Sequence, residues 1–200
     1  SKIMNDSSHL ILTEKFADKT ALVTLNNPPL NLVTLDLCRE LHETLLALED
    51  DPEVRAVVLT GSGQKAFCVG SDIKEFPQVW DDVIHKKLEK ENLAFNQVEL
   101  LSKPVIAAME GNVLGGGCEL SMACDIRILS EAGRIGLPEI HLGVFPGSGG
   151  IFRLAKLVGP AKAVEMMYTG QMLCAKEALQ LGLVNRVVPQ GTACTAALEL

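Results

Sequence analysis

The apolar residues of this chain follow two periods, one typical of buried strands and one typical of helices. Residues 56–60 (AVVLT) and 104–109 (PVIAAM) are almost continuous apolar runs, as expected for parallel strands that are covered on both faces. After Thr34, which can cap a helix, four leucines recur at near-helical spacing: Leu37, Leu41, Leu45 and Leu48. The alternation of such strands with helices predicts an α/β fold.

Shorter patterns complete this prediction. Two β-like runs, 10–16 and 20–26, are separated by a hairpin-sized interval. Further strands are predicted at 125–129, 134–136 and 184–188. Helical patterns cover much of 79–101 and the segments 151–156, 160–167 and 175–181. Two glycine-rich segments follow the buried strands, and we predict functional loops there: 61–74 and 111–117.

The composition is that of a globular protein with one sizeable core. The chain has 200 residues, of which 48% are hydrophobic and 22% are charged, and this balance excludes a disordered or fibrous protein. Its uncharged stretches are shorter than the roughly 18 apolar residues that a membrane span needs. The net charge of −7 opposes binding to nucleic acid or to an anionic membrane. We therefore expect neither as a partner.

The cysteines and the N-terminal residues favour a reducing compartment. None of the six cysteines belongs to a C-x-x-C pair, and we expect mostly buried free thiols because a chain with this much core does not need disulfides. The first thirty residues, which include Lys2 and Asp6, contain no apolar signal core. We expect a cytoplasmic protein, although an organelle presequence removed earlier would leave no trace.

The most distinctive motif is a glycine triplet followed by a carboxylate, Gly115-Gly116-Gly117-Cys118-Glu119. It lies between a predicted strand and a predicted helix. Glycines let a substrate carbonyl approach the backbone, and N–H groups at a helix N-terminus favour a developing oxyanion. These properties suit acyl-transfer or enolate chemistry. Close packing of the helix against a strand would explain the same glycines, so the motif alone leaves both interpretations open.

Two other segments carry candidate chemical groups. Glu139 lies among apolar residues in a loop, and two glutamates in an apolar site can act as acid and base because their pKa values separate. Gly70 precedes Ser71, whose N–H can be a second oxyanion donor, and Lys74 can meet a phosphate. An ordinary exposed glutamate and a solvated loop are the simpler explanations of these segments.

Three motifs, in this order and spacing, resemble the enoyl-CoA hydratase/isomerase (crotonase) superfamily: AFCVGSDIKEF, KPVIAAMEGNVLGGGCELSMACDIRI and LPEIHLGVFPGSGGIFRLAKLVG. The resemblance covers nearly the whole chain. It implies the crotonase-like spiral of ββα units, an elongated pocket for an acyl-CoA thioester, and homotrimers that often pair into hexamers. Coenzyme A is then part of the substrate, and we expect no separate cofactor and no metal.

The resemblance also implies roles for individual residues. The backbone N–H groups of Ser71 and Gly116 match the family's oxyanion hole, and Glu119 and Glu139 match its hydratase glutamate pair. In the hydratases, both glutamates hold the water that adds across the C2–C3 double bond. The residue that matches Glu139 delivers the proton to C2, and Glu119 would orient and deprotonate the water. Alanine is frequent in the family at the position of Ser71, and a backbone donor tolerates that change.

Substrate contacts are implied along the loop Ser71, Asp72, Ile73 and Lys74, with Lys74 a candidate for a CoA phosphate. Leu30, in an early turn, matches a CoA-contacting turn of the family more loosely. The function implied is hydration of 2-enoyl-CoA thioesters to 3-hydroxyacyl-CoA. The same oxyanion hole would also serve an enoyl-CoA isomerase, a carnitinyl-CoA-type dehydratase, a decarboxylase or a CoA-thioester hydrolase. A non-catalytic CoA-binding or assembly module is a further alternative.

Family members usually continue as a C-terminal helical section that helps to cover the CoA site and to build the trimer. We predict a crotonase core over residues 1–189 and the start of that section over 190–200. The section is then missing or shortened, either because the chain is truncated or because it is a naturally short variant.

Three remaining features have simpler interpretations. The turn 146–150 (PGSGG), with Arg153 close behind, lacks the lysine of a phosphate-binding P-loop, and we interpret it as a helix start near the pocket. His141 is expected to be a surface or packed residue. The mixed charges of residues 86–91 predict a solvated helix face.

Overall fold

The computed structural model describes residues 9–200, which form two sheets surrounded by helices. The strands of the large sheet are β1 (Ile11–Lys15), β2 (Thr20–Leu25), β3 (Ala56–Gly61), β5 (Val105–Met109), β7 (Ile126–Ser130) and β10 (Arg186–Val188). Those of the small sheet are β4 (Ala66–Cys68), β6 (Asn112–Leu114), β8 (Arg134–Gly136) and β9 (Met172–Cys174). Each sheet contains its strands in that spatial order.

The α-helices of the described residues alternate with these strands, so the predicted α/β fold class is confirmed. They are α1 (Leu35–Asp50), α2 (Phe76–Val79), α3 (Glu89–Leu100), α4 (Gly116–Ala123), α5 (Gly150–Val158), α6 (Pro160–Thr169), α7 (Ala175–Gln180) and α8 (Ala193–Leu198). As predicted, the Thr34 side chain caps α1 by accepting a hydrogen bond from the Leu37 N–H. The leucines of α1 then lie in the core.

The large sheet is covered on both faces, which explains its continuous apolar runs. β1 and β2 form an antiparallel hairpin, and the remaining neighbours are parallel. All five residues of β5 are buried, with Val58 of β3 opposite Ile106 of β5. Residues of α1, α3 and α4 belong to the core on one side. Ala193 and Ala197 of α8 pack with Val58 and Ile106 on the other. The division at residue 189 into core and C-terminal section stays a prediction.

The small sheet is the element that positions the site. β4, β6 and β8 are parallel neighbours, so their carboxyl ends lie at one edge of the sheet. The chain leaves that edge three times, into the segments 69–72, 115–117 and 137–139. Parallel strands therefore bring together three loops that are far apart in the sequence. The sequence predicts β8 correctly. It places β4 and β6 in loops because these three-residue strands lie within the glycine-rich segments 61–74 and 111–117, and it makes no prediction for the three-residue β9.

The prediction of one helix over much of 79–101 is wrong in its first half. After α2 the chain forms a 3-10 turn (Trp80–Asp82) and a π-helical segment (Ile84–Leu88), and only then α3. π-helical turns inside helices are rare and are frequent at functional sites. This irregular segment carries a buried lysine, Lys87.

Other predictions about the chain as a whole can be compared with residues 9–200. All six cysteines are free and four are buried, as expected. Within this range no helix has the length and apolarity that crossing a bilayer would require. Lys2 and Asp6, which belong to the N-terminal residues used to predict the compartment, lie outside the described residues.

Candidate active site

A cavity of about 330 Å³ opens at the shared edge of β4, β6 and β8. Four residues that the sequence singled out line it together: Ser71, Gly116, Glu119 and Glu139. Apolar side chains such as Phe76, Trp80, Leu142 and Phe145 form much of the remaining wall. The cavity therefore combines an apolar wall with a few polar groups, which is the usual composition of a site for an organic ligand.

The backbone N–H groups of Ser71 and Gly116 lie side by side in this cavity. Gly70 has a positive φ of 97°, a conformation that glycine adopts without strain. A Cβ atom on Gly70 would be 3.3 Å from the Gly116 nitrogen, and one on Gly116 would be 3.8 Å from the Ser71 nitrogen. The Val33 N–H donates to the Gly70 carbonyl, and the Asp72 N–H donates to the Val33 carbonyl. These two hydrogen bonds on either side of Ser71 do not use the Ser71 N–H.

The Gly116 N–H is left available by its place in a helix. Gly116 is the first residue of α4, where backbone N–H groups have no partner within the helix. A Cβ atom on Gly117 would overlap the Cys68 carbonyl, so α4 packs against β4 this closely only because Gly117 is glycine. The glycine triplet thus permits the tight packing, and the oxyanion role of the Gly116 N–H stays a prediction.

Glu119 is fixed by backbone donors from another loop. It lies in the first turn of α4 and its side chain is 3% exposed. Its Oε1 accepts hydrogen bonds from the Ser148 N–H at 2.8 Å and the Gly150 N–H at 2.9 Å. Burial, reinforced by the charge of Glu139, raises the pKa of Glu119 to about 8. The carboxyl group can therefore exchange a proton near neutral pH while its orientation stays fixed.

Glu139 lies beside the glycine triplet and has fewer partners than Glu119. It begins the 3-10 turn after β8 (Glu139–Leu142), and a Cβ atom on Gly115 would be 3.3 Å from its Oε1. Among the residues that the structure describes, its buried Oε2 has no hydrogen-bond partner. Burial raises the pKa of Glu139 to about 7, with a smaller contribution in the same direction from the charge of Glu91. A buried carboxyl oxygen without a partner is suited to meet a substrate.

The interpretation of residues 86–91 as a solvated face is wrong for two of them. Lys87 is 2% exposed and Glu91 is 3% exposed, and both line the cavity. Their charges are tolerated because each is paired: the Lys87 Nζ lies 3.2 Å from Glu91 Oε1 and 3.0 Å from Glu75 Oε2. The i,i+4 spacing of Lys87 and Glu91 fits an exposed ion pair equally well. Their burial is explained by further partners: Glu75, which is 12 residues from Lys87, and the hydroxyl groups of Ser71 and Ser148, which bind Glu91.

The predicted substrate-contacting loop lies only partly in the cavity wall. Ser71 and Ile73 line the cavity. Asp72 begins a 3-10 turn, where its side chain accepts a hydrogen bond from the Lys74 N–H, and the Lys74 side chain is exposed. The Leu30 carbonyl accepts from the Val69 N–H and so supports the loop from behind. Contacts of Asp72, Lys74 and Leu30 with a ligand stay predictions.

The turn 146–150 is a helix start beside the pocket, as expected. Gly149 precedes α5, and the neighbouring N–H groups of Ser148 and Gly150 bind Glu119. Arg153 is buried and pairs with Glu99. His141 is exposed and packs toward Gly170, which agrees with its interpretation as a surface residue.

Comparison with known proteins identifies the family. The family model described as enoyl-CoA hydratase/isomerase matches residues 15–200. The chain belongs to this family. It is 45% identical over 183 residues to a short-chain-enoyl-CoA hydratase of Clostridium acetobutylicum, covering 91% of this chain and 70% of that protein. It is 40% identical over 179 residues to a crotonyl-CoA hydratase of Syntrophomonas wolfei, covering 89% of this chain and 68% of that protein.

Solved structures of the family have the same fold. The crystal structure of an enoyl-CoA hydratase from Bacillus anthracis matches with a TM-score of 0.91 and 39% identity, covering 96% of this chain and 74% of that one. The crotonase-like fold expected from the three motifs is thereby confirmed. The chain spans roughly two thirds to three quarters of the length of these hydratases, between 68% and 74%.

Proposed function

We propose that the protein adds water to 2-enoyl-CoA thioesters and so forms 3-hydroxyacyl-CoA. The observation that carries this proposal is the arrangement of two glutamates with raised pKa values, Glu119 buried and Glu139 half-buried, beside a pair of adjacent backbone N–H groups. Hydration needs a group that takes a proton from water and a group that gives one to carbon. It also needs donors for the thioester oxygen, which gains negative charge in the transition state.

The proposed steps use each group once. The N–H groups of Ser71 and Gly116 bind the thioester oxygen. Glu119 orients a water molecule and takes its proton as the water oxygen bonds to C3. The C2–C3 π electrons move toward the thioester, and the resulting enolate takes a proton at C2 from Glu139. The water proton held by Glu119 must then pass to Glu139 or to solvent, so the pair returns to its starting state.

The test is hydration of crotonyl-CoA, followed by the loss of the absorbance of the conjugated thioester. The protein should turn over this substrate, and Glu119→Gln and Glu139→Gln should each lower kcat by about 10²-fold or more because each removes a proton-transferring group. Glu89→Gln, an exposed position of α3, is the matched control and should match the wild type. Absence of turnover, or full activity in both site variants, would contradict the proposal. Product analysis over a panel of CoA esters would then identify isomerisation, decarboxylation, dehydration or thioester hydrolysis.

Exposed apolar side chains support the proposal of a homotrimer or a hexamer of two trimers. They include Ile140 and Leu142 of the 3-10 turn, Phe152 of α5 and Tyr168 of α6, and α6 packs against both the turn and α5. Large exposed apolar areas are typical of protein interfaces. Light scattering on the purified protein should give three or six times the mass of one chain, whereas a monomer would contradict this part. A cytoplasmic location and the absence of a separate cofactor, metal or nucleic-acid partner belong to the same proposal.

A further inference from the structure

A third carboxylate of the cavity, the buried Glu91 of α3, lies between the two halves of the site. Its Oε1 accepts a hydrogen bond from the Ser71 hydroxyl, and its Oε2 accepts one from the Ser148 hydroxyl, each at 2.6 Å. Hydrogen bonds of this length between a hydroxyl and a carboxylate are strong and directional. One side chain from a helix therefore fixes two loops that are 77 residues apart in the sequence, counted from residue 71 to residue 148.

Both serines have a second function in the site through their backbone. The Ser71 N–H is one of the two oxyanion donors, and the Ser148 N–H is one of the two groups that bind Glu119. We propose that Glu91 is a positioning residue for the hydration reaction. It fixes the Ser71 N–H, the oxyanion donor of one loop, relative to the Ser148 N–H, which binds Glu119 from the other loop. This inference rests on the proposed function.

The way in which Glu91 is itself held supports a positioning role. Lys87 Nζ lies 3.2 Å from Glu91 Oε1 and also binds Glu75, whose carboxylate accepts the Leu35 N–H at the start of α1. Burying these three charged side chains requires desolvation that apolar side chains of similar size would avoid. The network connects α1, α3 and both catalytic loops. Its geometry therefore defines where the two serines lie relative to the scaffold.

Glu91 also sets the electrostatic environment of the catalytic pair. Its negative charge contributes to the raised pKa values of Glu119 and Glu139. The other charged or titratable groups around it are Lys87, Glu75, the thiols of Cys38 and Cys68, and Arg153, which reaches the Ser148 carbonyl. Replacing Glu91 by glutamine removes one negative charge and leaves Lys87 in place. Both catalytic pKa values should then fall.

The experiment compares Glu91→Gln with Glu89→Gln, the same substitution on the exposed side of the same helix. With crotonyl-CoA, Glu91→Gln should lower kcat by about 10- to 100-fold, the effect of losing hydrogen bonds to a charged group, while KM changes little. The acidic limb of its kcat/KM profile should move to lower pH. Glu89→Gln should match the wild type in every respect. If Glu91→Gln has wild-type kcat and an unshifted pH profile, the inference is wrong while the proposed function stands.

Two further variants keep the test decisive if Glu91→Gln does not fold. Ser71→Ala and Ser148→Ala each remove one hydrogen bond to Glu91 and leave every charge in place. Alanine at position 71 keeps the backbone donor itself, but the loop loses its bond to Glu91. Each variant should therefore lower kcat by about 10-fold at nearly constant KM, and two unaffected serine variants would contradict the inference.

Binding separates a failure of this inference from a failure of the proposed function. If the wild type does not hydrate crotonyl-CoA, the proposed function fails, and the Kd for acetoacetyl-CoA tests Glu91 alone. The enolate form of this ligand carries negative charge on oxygen, as the transition state does, so it depends on the oxyanion donors more than the substrate does. Weaker binding by about 5-fold or more in Glu91→Gln and Ser71→Ala, with Glu89→Gln unchanged, would support a role in positioning the oxyanion donors. Equal Kd values in all variants would overturn it.

Discussion

Glu119 and Glu139 both have raised pKa values, but the two regions that carry them hold them very differently. Glu119, in a helix, receives two backbone hydrogen bonds at 2.8 and 2.9 Å. Glu139, in a short 3-10 turn, has a buried Oε2 without a partner among residues 9–200. The two N–H donors fix the direction of the Glu119 carboxyl group. The Glu139 carboxyl group keeps one oxygen free to meet a ligand that enters the cavity.

This difference suggests that the two glutamates divide the reaction. A group with a fixed orientation is suited to place a water molecule against C3, because a small error in the direction of attack has a large effect on rate. A group with an unused oxygen is suited to exchange a proton with the substrate carbon. The division of roles is thus founded on hydrogen bonding rather than on the pKa values, which are similar at about 8 and about 7.

The largest effect is expected from removing an oxyanion donor, because both glutamates depend on it. Gly116→Pro deletes one N–H at the first position of α4, where proline is compatible with a helix. It should lower kcat for crotonyl-CoA by about 10²- to 10³-fold. Gly116→Ala keeps the N–H, and its Cβ would be 3.6 Å from the nearest neighbour, the Gly70 Cα. It should be at least about ten times more active than the proline variant, and equal activity of the two would exclude this N–H as the donor.

The glycine-based half of the site could be predicted from the sequence, and much of the carboxylate network could not. The glycine triplet and Gly70 act through their own backbone conformation, which a local sequence pattern can indicate. Glu119 and Glu139 were identified through the family motifs, but their different hydrogen bonds depend on a turn that is distant in the sequence. The charge pattern of residues 86–91 predicts surface positions for Lys87 and Glu91, because their burial depends on Glu75, Ser71 and Ser148, which are distant in the sequence.

The strands of the large sheet illustrate the same rule. Continuous runs such as those of β3 and β5 predicted buried strands correctly. β4 and β6 are too short for any period to be read, and they form because β6 pairs with β4 on one side and with β8 on the other. Since these short strands position the site, the geometry of the site was the part of the fold least accessible to pattern analysis.

A smaller effect should appear in the pH dependence of stability. The pKa of each glutamate is higher in the folded chain than the ordinary value of 4.5, so the folded state binds more protons than the unfolded state above that pH. The free energy of unfolding contributed by Glu119 should therefore fall as pH rises from about 4.5 to about 8, and that of Glu139 from about 4.5 to about 7.

Urea unfolding measured between pH 5 and pH 8 checks this expectation. Glu119→Gln should flatten the decline in stability more than Glu139→Gln, because Glu119 has the larger shift over the wider pH range. Glu89→Gln should leave the slope unchanged. A wild-type slope in both site variants would mean that neither carboxyl group is protonated near neutral pH, and the acid–base roles would need another explanation.

The smallest effect is expected at Lys74, which is exposed and lies outside the cavity wall. If it meets a CoA phosphate, Lys74→Ala should raise KM about two- to five-fold with kcat unchanged, and added salt should reduce the difference. Lys90→Ala, an exposed lysine of α3, is the control. A change in kcat would mean that Lys74 acts on the reaction itself.

The division of roles between the two glutamates is tested most directly by proton exchange at C2 of butyryl-CoA in D2O, followed by NMR. This saturated thioester cannot be hydrated, so exchange requires only the oxyanion donors and the group that takes the C2 proton. Glu139→Gln should reduce the exchange rate by about 10²-fold or more, and Glu119→Gln should retain exchange within about ten-fold of the wild type even though its hydration activity is lost. Equal loss of exchange in both variants, or wild-type exchange in Glu139→Gln, would contradict the account.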